Sequence, residues 1–495
     1  MKFRVALIII LLLFLAGSTA AADSAIINTE KVDQYIEREM KISRIPGLAL
    51  GIVNDGDIVY LQGYGETGLG NDVDPQTPFI IGSVSKSFTA VAAMQLAEED
   101  RLDLDAPVLE YLPWFDMAGE YDVSKMTVRH LLVQTSGIPW AAGLATLAEN
   151  SSKSLEEEIR ALRDVALEHP PGEHYVYSNT NYNILGLIID LIADEGYSGH
   201  IQNKIFTPLG MENSFLTKED GENNGMASGH VKWFGFPVAT DVQYLDNSLA
   251  AGFIISSVED MCSYMLIHLG RGSYNQSDIL SEAGVAELHS PGCVLADDSN
   301  YAMGLVARKA EGTTLIMHDG AAQGFNSGMI FSPEEQWGVI VLTNFAGQLE
   351  LPAMGVALGV SDIIKGSEPE SNSRLWNIIY LGVLIILLVL IALTVRSLVM
   401  LPKKWAKKIQ QNPPRGFFPV FGRFVLPVGL ELLVPFLVFL YIPIGAGFSV
   451  WSLFALFHPD LIYSLWVLAV LMLFKGLWRS YLAFPIFRFK YGHII

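Results

Sequence analysis

The segment Gly82-Ser83-Val84-Ser85-Lys86 places a hydroxyl and an amine three residues apart, just before an apolar, alanine-rich run. On a helix, side chains with this spacing share a face. A serine hydroxyl becomes an effective nucleophile when a neighbour takes its proton, and a lysine amine in a dry environment can take it. Ser83 at a helix N-terminus would also lie near backbone N–H groups that favour developing negative charge. Such short matches also arise by chance, so the segment alone better fits a capping serine and a surface lysine.

A second group of polar residues, Tyr177-Ser178-Asn179, precedes the helical pattern TNYNILGLIIDLI. A tyrosine phenol near cations can act as a general base and then as a general acid. Asn179 can both donate and accept hydrogen bonds, and so could order a lysine and a substrate amide. The alternative is a tyrosine that anchors a loop beside an asparagine that caps a helix.

A third group, His318-Asp319-Gly320-Ala321, lies shortly before the last predicted hairpin. A backbone N–H in this stretch could complete an oxyanion hole with the N–H of Ser83. Gly320, which lacks a Cβ, would let a substrate approach the strand closely. The alternative is an isolated strand histidine followed by a turn glycine.

The elements that must position these groups follow from the hydrophobic pattern. Residues 47–65 alternate and turn at Asn54-Asp55-Gly56, and residues 328–344 form a second hairpin around Pro333-Glu334-Glu335. Helical periodicity occurs at 29–42, 86–99, 127–134, 154–168, 180–195 and 257–270. Strands at both ends with helices between them predict an α+β domain over 24–367: an antiparallel sheet flanked by helices, with an all-helical region beside it.

Taken together in this order, the three groups are far more specific than any one of them. The chain resembles the penicillin-binding-protein/serine β-lactamase superfamily, on its class C side, in SxxK, YxN and HxG motifs. The stretches FIIGSVSKSFTA, RLDLDAPVLEYLP, VRHLLVQTSGIP, PGEHYVYSNTNYNILG and AAGFIISSVEDM support the resemblance, which covers about residues 28–350.

The resemblance implies a role for each matched residue. Ser83 is the acylated nucleophile, Lys86 and Tyr177 share proton transfer, and Asn179 supports them. His318 and Gly320 hold the strand position, and the backbone N–H groups of Ser83 and Ala321 form the oxyanion hole. Whether Lys86 or Tyr177 is the acylation base stays open at this stage.

Two positions depart from the family pattern. His318 stands where most β-lactamases and transpeptidases have lysine, and a neutral imidazole holds a substrate carboxylate less well than a permanent ammonium. Histidine at this position resembles D-aminopeptidases, esterases and other relatives that do not act on lactams. Gln134 replaces the histidine that commonly precedes TSG, and the sequence gives no functional reason for it.

Both ends of the chain carry membrane-targeting patterns. Residues 1–22 have the basic start, apolar core and small-residue cleavage site of a signal peptide, with an uncleaved anchor as the alternative. Three apolar stretches, about 376–395, 424–445 and 461–477, predict transmembrane helices in a membrane domain over 376–495, joined by a linker at 368–375. Glu431 falls within the second span, where we expect it near the interface or facing a neighbouring helix rather than on a substrate path.

The distribution of charge predicts the topology. Of the 32 basic and 52 acidic residues, 12 basic and two acidic lie after Ser373. Residues 396–423 carry seven Lys/Arg and no acid, which predicts a cytoplasmic loop by the positive-inside rule. We therefore expect a multi-pass cell-membrane protein with an extracytoplasmic N-terminal domain and a cytoplasmic C-terminus. The formal net charge of −20 argues against a nucleic-acid partner.

This architecture is similar to that of membrane-bound peptidases that activate non-ribosomal peptide prodrugs, such as the one that matures colibactin. The first hypothesis is therefore a membrane-anchored serine hydrolase that forms an acyl-enzyme and acts on amide bonds of D-amino-acid-containing peptides. A carboxylesterase or β-lactamase is the alternative within the superfamily. A non-catalytic penicillin-recognising sensor is the alternative of another class, and a transporter is disfavoured because three spans are few.

The expected partners are a small peptide, amide or ester substrate and membrane lipid, with no cofactor. The histidines lack metal-ligand spacing, so no metal site is expected. Cys262 and Cys293 could pair in an exported domain, although Cys262 lies in an apolar helical pattern that favours a buried free thiol. The oligomeric state is left open.

Overall fold

The computed structural model describes residues 27–143, 153–310, 312–346, 352–412, 414, 416–441, 455 and 457–491. The predicted signal peptide at 1–22 lies outside the described residues. The longer helices are α1 (Thr29–Ser43), α2 (Ser85–Glu98), α3 (Asn179–Ile192), α4 (Val258–Leu269), α5 (Pro352–Ile364), α6 (Ser373–Met400), α7 (Leu426–Phe436) and α8 (Pro459–Tyr491). Short helices and turns fill the region between α2 and α4, including Val128–Leu132, Leu155–Ala161, Gly196–Ile201 and Leu249–Gly252.

One antiparallel sheet forms the framework of the N-terminal part. Its strands are β1 (Gly47–Asn54), β2 (Asp57–Gly65), β9 (Cys293–Ala296), β10 (Ser299–Tyr301), β11 (Val306–Ala310), β12 (Thr313–Ala322), β13 (Phe325–Ser332) and β14 (Trp337–Thr343). Within the described residues the spatial order is β2-β1-β14-β13-β12-β11-β10-β9. The N-terminal hairpin therefore pairs with the last strand of the sheet, β14. This confirms the predicted α+β class, in which strands from both ends of the domain form one antiparallel sheet. Shorter strand pairs join β3 (Phe79–Ile80) to β6 (Ile255–Ser256), β4 (His230–Trp233) to β5 (Phe236–Ala239), and β7 (Ser273–Tyr274) to β8 (Ser277–Asp278).

Both predicted hairpins form, and local chemistry explains the first turn. Asp55 and Gly56 have φ values of 50° and 87°, as a two-residue turn with right-handed strand twist requires. β1 then pairs from Leu48↔Thr343 to Asn54↔Trp337 with β14 on its other side. β13 and β14 are buried along their whole lengths, because helices cover both faces of the sheet there.

The two faces of the sheet pack differently. On one face, α1 and α5 cover a compact apolar cluster that includes Tyr35, Ile36, Val339 and Val360. On the other, a larger core joins the sheet to the helical region and surrounds α2, whose residues Ser85–Met94 are all buried. A helix that is hidden on every side can keep a lysine away from water, which bears directly on Lys86.

Two predicted helices are shorter than expected. The 127–134 helix is confined to Val128–Leu132, because Gln134 adopts a left-handed φ of 60° that ends the helix. The 154–168 helix ends at Ala161 and continues only as a 3₁₀ turn over Leu162–Asp164.

Both cysteines are unpaired, with Cys262 buried on α4 and Cys293 half-buried on β9. Burial raises the pKa of the Cys262 thiol, so it stays protonated.

In the described residues, three helical stretches are long and apolar enough to cross a membrane: Ser373–Gln411, Phe417–Leu440 and Pro459–Ala483. This is consistent with membrane association. They correspond to the predicted spans, but each extends further, and residues 442–445 of the second span lie outside the described residues. Glu431 faces α8, where its Oε1 lies 3.0 Å from Lys475 Nζ and 2.7 Å from Arg479 Nη2.

Candidate active site

Ser83 lies in a 3₁₀ turn, Gly82–Val84, that leads directly into α2. Gly82 has a φ of 55°, and a Cβ there would come within 2.5 Å of the Ala321 backbone nitrogen. Glycine is therefore required for this turn to approach β12 so closely. One turn further on, Lys86 is fully buried and its Nζ lies 3.0 Å from Ser83 Oγ.

The Lys86 amine has two further partners, both of which can only accept hydrogen bonds from it. Nζ donates to Asn179 Oδ1 at 2.8 Å and to the backbone carbonyl of Ala251 at 2.6 Å. A neutral amine has two hydrogens for these two oxygens, and its lone pair is then directed at Ser83. Burial lowers the pKa of Lys86 to about 7, while the nearby Asp319 opposes the shift. A substantial neutral fraction is therefore present at physiological pH.

Tyr177 contacts the nucleophile from the loop before α3. Its hydroxyl donates to Ser83 Oγ at 2.8 Å, and its ring lies 4.9 Å from Lys86 Nζ. Burial raises the pKa of the Tyr177 phenol well above its ordinary value, and Tyr301 adds to the shift. Because the phenol keeps its proton, the hydrogen bonds run in one direction, from Tyr177 to Ser83 and from Ser83 to neutral Lys86.

The third predicted group lies on β12, directly against the nucleophile turn. A Cβ on Gly320 would come within 2.1 Å of the Ile81 carbonyl oxygen, so only glycine fits this approach. Ser327 on β13 donates to the same carbonyl at 2.6 Å. This contact holds the turn and the strand together, so that Ser83 and Ala321 line one cleft.

His318, the first residue of this group, is buried on β12 and is held by a local hydrogen bond. Its Nδ1 lies 2.6 Å from the Asp319 carbonyl oxygen, which can only accept, so Nδ1 carries the hydrogen and Nε2 is the free acceptor. Burial lowers the pKa of His318, and Lys86 lowers it further, against the opposing effect of Asp319. The imidazole is therefore neutral at pH 7 and offers no permanent charge to a substrate carboxylate.

Gln134, which the sequence left unexplained, holds the Tyr177-Ser178-Asn179 loop in place. Its side-chain Oε1 accepts from the Ser178 N–H at 2.9 Å and from the side chain of Asn181. Its backbone carbonyl accepts from the Val176 N–H at 2.9 Å. The residue thus ties both sides of Tyr177 to the end of the Val128–Leu132 helix.

A cleft lies beside Ser83. Apolar groups dominate its walls, and Phe457, from the segment before α8, is among them. The full lining is Ser83, Asn179, Gln243, Leu245, Ser248, Ala251, Gly252, Phe253, Ala321, Ala322, Gln323 and Phe457. Sequence reasoning missed the Ala251 carbonyl and the contribution of Phe457. In the part of the chain that the structure describes, no group of three or more His, Cys, Asp or Glu side chains could hold a metal ion.

The predicted side chains all lie around Ser83 in the folded chain. Comparison with known proteins agrees with the motifs that predicted them. A family model described as Beta-lactamase matches residues 32–355, which is most of the chain. The chain belongs to the beta-lactamase family. The superfamily resemblance seen in the motifs is thereby confirmed, and superfamily members are serine hydrolases.

Curated proteins from a bacterium and a fungus are similar to this chain. Protein flp of Staphylococcus aureus (strain N315) is 29% identical over 318 residues, which cover 64% of this chain and 63% of that protein. Unguisins hydrolase ungD' of Aspergillus campestris (strain IBT 28561) is 26% identical over 332 residues, which cover 64% of this chain and 60% of that protein. The matched part thus spans less than two thirds of these curated relatives.

Among solved structures, the octameric penicillin-binding protein homologue from Pyrococcus abyssi has a TM-score of 0.62 and 29% identity. The match covers 69% of this chain and 78% of that one. It supports a beta-lactamase-like arrangement of sheet and helices for the N-terminal part.

Proposed function

We propose that this protein is a membrane-anchored serine hydrolase that works through an acyl-enzyme on Ser83. The observation that carries the proposal is the pair of contacts that Ser83 Oγ makes with Lys86 Nζ and Tyr177 OH, together with a Lys86 pKa of about 7. Activation of a serine nucleophile needs a nearby base whose pKa is close to the working pH, and the buried Lys86 amine meets this need. The hydrogen bond from the Tyr177 phenol orients the same serine.

Acylation follows from the direction of these hydrogen bonds. Ser83 Oγ attacks the substrate carbonyl carbon while its proton passes to neutral Lys86. The carbonyl oxygen becomes an oxyanion, which the backbone N–H groups of Ser83 and Ala321 stabilise. The proton then moves from Lys86 through Tyr177 to the leaving group, and the carbon–leaving-group bond breaks, which gives the Ser83 ester. In deacylation, water attacks the ester carbon while Lys86 takes a proton from that water. The bond to Ser83 Oγ then breaks, and Ser83 regains its proton from Lys86.

We assign the role of acylation base to Lys86 rather than to Tyr177. A phenol whose pKa is raised well above ten is a poor base at neutral pH, whereas an amine of pKa about 7 is well matched to it. Tyr177 then serves as a proton carrier, and Asn179 orders the amine through its Oδ1.

Amide bonds of D-amino-acid-containing peptides are the proposed substrates, outside the cytoplasm. The support is the architecture of a hydrolase domain with three apolar C-terminal helices, and a relative whose name describes a hydrolase. The basic loop at 396–423 supports a cytoplasmic C-terminus and an extracytoplasmic catalytic domain by the positive-inside rule. A carboxylesterase is the second candidate, because the neutral His318 provides no cation for a substrate carboxylate, which also disfavours a β-lactamase.

A fluorophosphonate probe on purified membranes tests the nucleophile. We expect labelling of wild type and of Ser290→Ala, which changes an exposed serine away from the cleft, and none of Ser83→Ala. An N-acyl-D-Asn peptide, a short p-nitrophenyl ester and a chromogenic cephalosporin then separate the substrate classes. Turnover of the ester alone overturns the peptidase assignment. Absence of both labelling and turnover in wild type would instead favour a non-catalytic sensor.

A further inference from the structure

Phe457 belongs to the C-terminal membrane region by sequence, yet it lines the same cleft as the nucleophile. It lies just before α8 and is 5% exposed. Ser83 and Asn179 line the same cleft. A buried aromatic side chain contributes a large apolar surface, so its position at a substrate cleft bears on what the cleft can bind.

The aromatic ring is packed against the strand that carries the proposed oxyanion hole. Phe457 forms a small apolar cluster with Val231 of β4 and with Ala346, which follows β14. Trp233 and Ala321 pack against this cluster. The cleft wall next to Ala321 is thus completed by a residue from outside the hydrolase domain.

Polar contacts at the beginning of α8 hold this segment in place. Asp460 Oδ2 accepts from the Phe234 backbone N–H at 2.8 Å and also from the Tyr380 hydroxyl of α6. The Tyr380 hydroxyl in turn accepts from the Gly235 N–H at 2.9 Å. The turn between β4 and β5 is therefore tied by hydrogen bonds to two of the apolar helices, α6 and α8. Buried polar groups are costly to leave without a partner, so these contacts favour the observed packing.

Further contacts extend the same junction. Lys232 Nζ donates to Asn377 Oδ1 at 3.1 Å, and Asn377 Nδ2 donates to the Ile42 carbonyl at 2.9 Å. The rings of Trp233 and Tyr463 stack with centroids 5.8 Å apart. These contacts join α1, β4, α6 and α8, so Phe457 is held by more than its own cluster.

We propose that Phe457 is a specificity-determining residue, through which the membrane region forms the wall of an apolar subsite for a non-reacting group of the substrate. Leu245, Phe253 and Ala322 supply other apolar walls of this subsite. The proposal rests on the hydrolase function proposed above and adds the chemistry of its substrate: an apolar substituent bound between the hydrolase domain and the segment before α8.

The test measures kcat/KM of the full-length protein, in one detergent, on p-nitrophenyl acetate, butyrate and hexanoate. We expect wild type to favour the longer acyl chains. Phe457→Ala should lower the hexanoate-to-acetate ratio about tenfold, because an apolar pocket discriminates by roughly this factor or more for each group it binds. Phe457→Leu, which keeps an apolar wall, should retain most of the ratio. Phe474→Ala, a substitution at a half-exposed position on α8, is the matched control.

The outcomes separate this proposal from the hydrolase function. If Ser83-dependent turnover is present and Phe457→Ala keeps the wild-type ratio, the subsite is overturned while the hydrolase stands. An equal fall on all three esters in both Phe457 variants also overturns it, because that result indicates a structural role alone. If wild type shows neither turnover nor probe labelling at Ser83, the proposed function fails, and the subsite fails with it.

Discussion

Lys86 on α2 and Lys475 on α8 both carry amines that are largely shielded from solvent, and their surroundings differ in one respect. Lys475 on α8 pairs with Glu431 at 3.0 Å, and Arg479 contacts the same carboxylate at 2.7 Å while it stacks over Trp405. Lys86 is held by a hydroxyl, an amide oxygen and a backbone carbonyl, none of which carries a charge.

The difference separates a lysine used for structure from one available for chemistry. A buried cation beside a carboxylate is held by the ion pair, which fixes the packing of the helices around it. A buried amine among neutral acceptors loses its proton more easily, since burial penalises the charged form and no contacting anion compensates. In the sequence both lysines lie in apolar helical patterns, and only the SxxK motif singles out Lys86.

The largest expected effect is on turnover when Lys86 is changed. Lys86→Met should lower kcat about 10,000-fold, because it removes the proton acceptor of the nucleophile while an apolar chain fills the same space. Initial rates on whichever ester or peptide the wild type hydrolyses give the measurement. Lys475→Met in the other cluster is the control and should keep kcat within about threefold. Comparable losses of turnover in the two variants would remove the distinction between the clusters.

The next effect is on stability when Glu431 is changed. Glu431→Gln leaves Lys475 and Arg479 buried beside a neutral amide, and we expect it to lower the free energy of unfolding by about 3 kcal/mol. Thermal unfolding of the purified protein in detergent measures the shift. Turnover at 25 °C should stay near wild type, since this cluster is remote from Ser83. An unchanged unfolding midpoint would show that the paired cluster contributes little to the packing of α7 and α8.

A smaller effect on turnover is expected when Tyr177 loses its hydroxyl. Tyr177→Phe keeps the ring beside Lys86 but removes the phenol that carries a proton to the leaving group, so kcat should fall about 100-fold. Labelling of Ser83 by a fluorophosphonate should persist, because a reactive probe needs less help with its leaving group. Normal turnover in this variant would remove Tyr177 from the mechanism.

Much of this arrangement could be predicted from local patterns. The one-turn spacing of Ser83 and Lys86, the two hairpins and the three apolar spans each depend on neighbours in sequence, and periodicity or turn chemistry reveals them. Gln134 could not be understood in this way. Its left-handed backbone and its contact with Ser178 arise from tertiary packing between segments far apart in the chain.

The roles of the Ala251 carbonyl and of Phe457 could not be predicted from the sequence either. A backbone carbonyl that binds Lys86 has no side-chain signature, so no residue pattern could have indicated it. Phe457 looks like one more apolar residue before a transmembrane span, and only the folded chain places it in the cleft. Long-range contacts of this kind decide the shape of the pocket, whereas local patterns decide which elements carry the motifs.

The pH dependence of Ser83 acylation tests the central claim most directly, namely that burial keeps Lys86 available as a neutral base. Below its pKa the amine is protonated and cannot take the Ser83 proton, so the labelling rate should rise with pH through a single ionisation near 7 and then level off. No fall is expected below about pH 10, because the Tyr177 phenol remains protonated there. The Lys86→Met variant should lose the inflection and react slowly at every pH. A wild-type rate that is constant from about pH 5 to 9, or an inflection near 7 that persists in Lys86→Met, would contradict the assignment of Lys86 as the base.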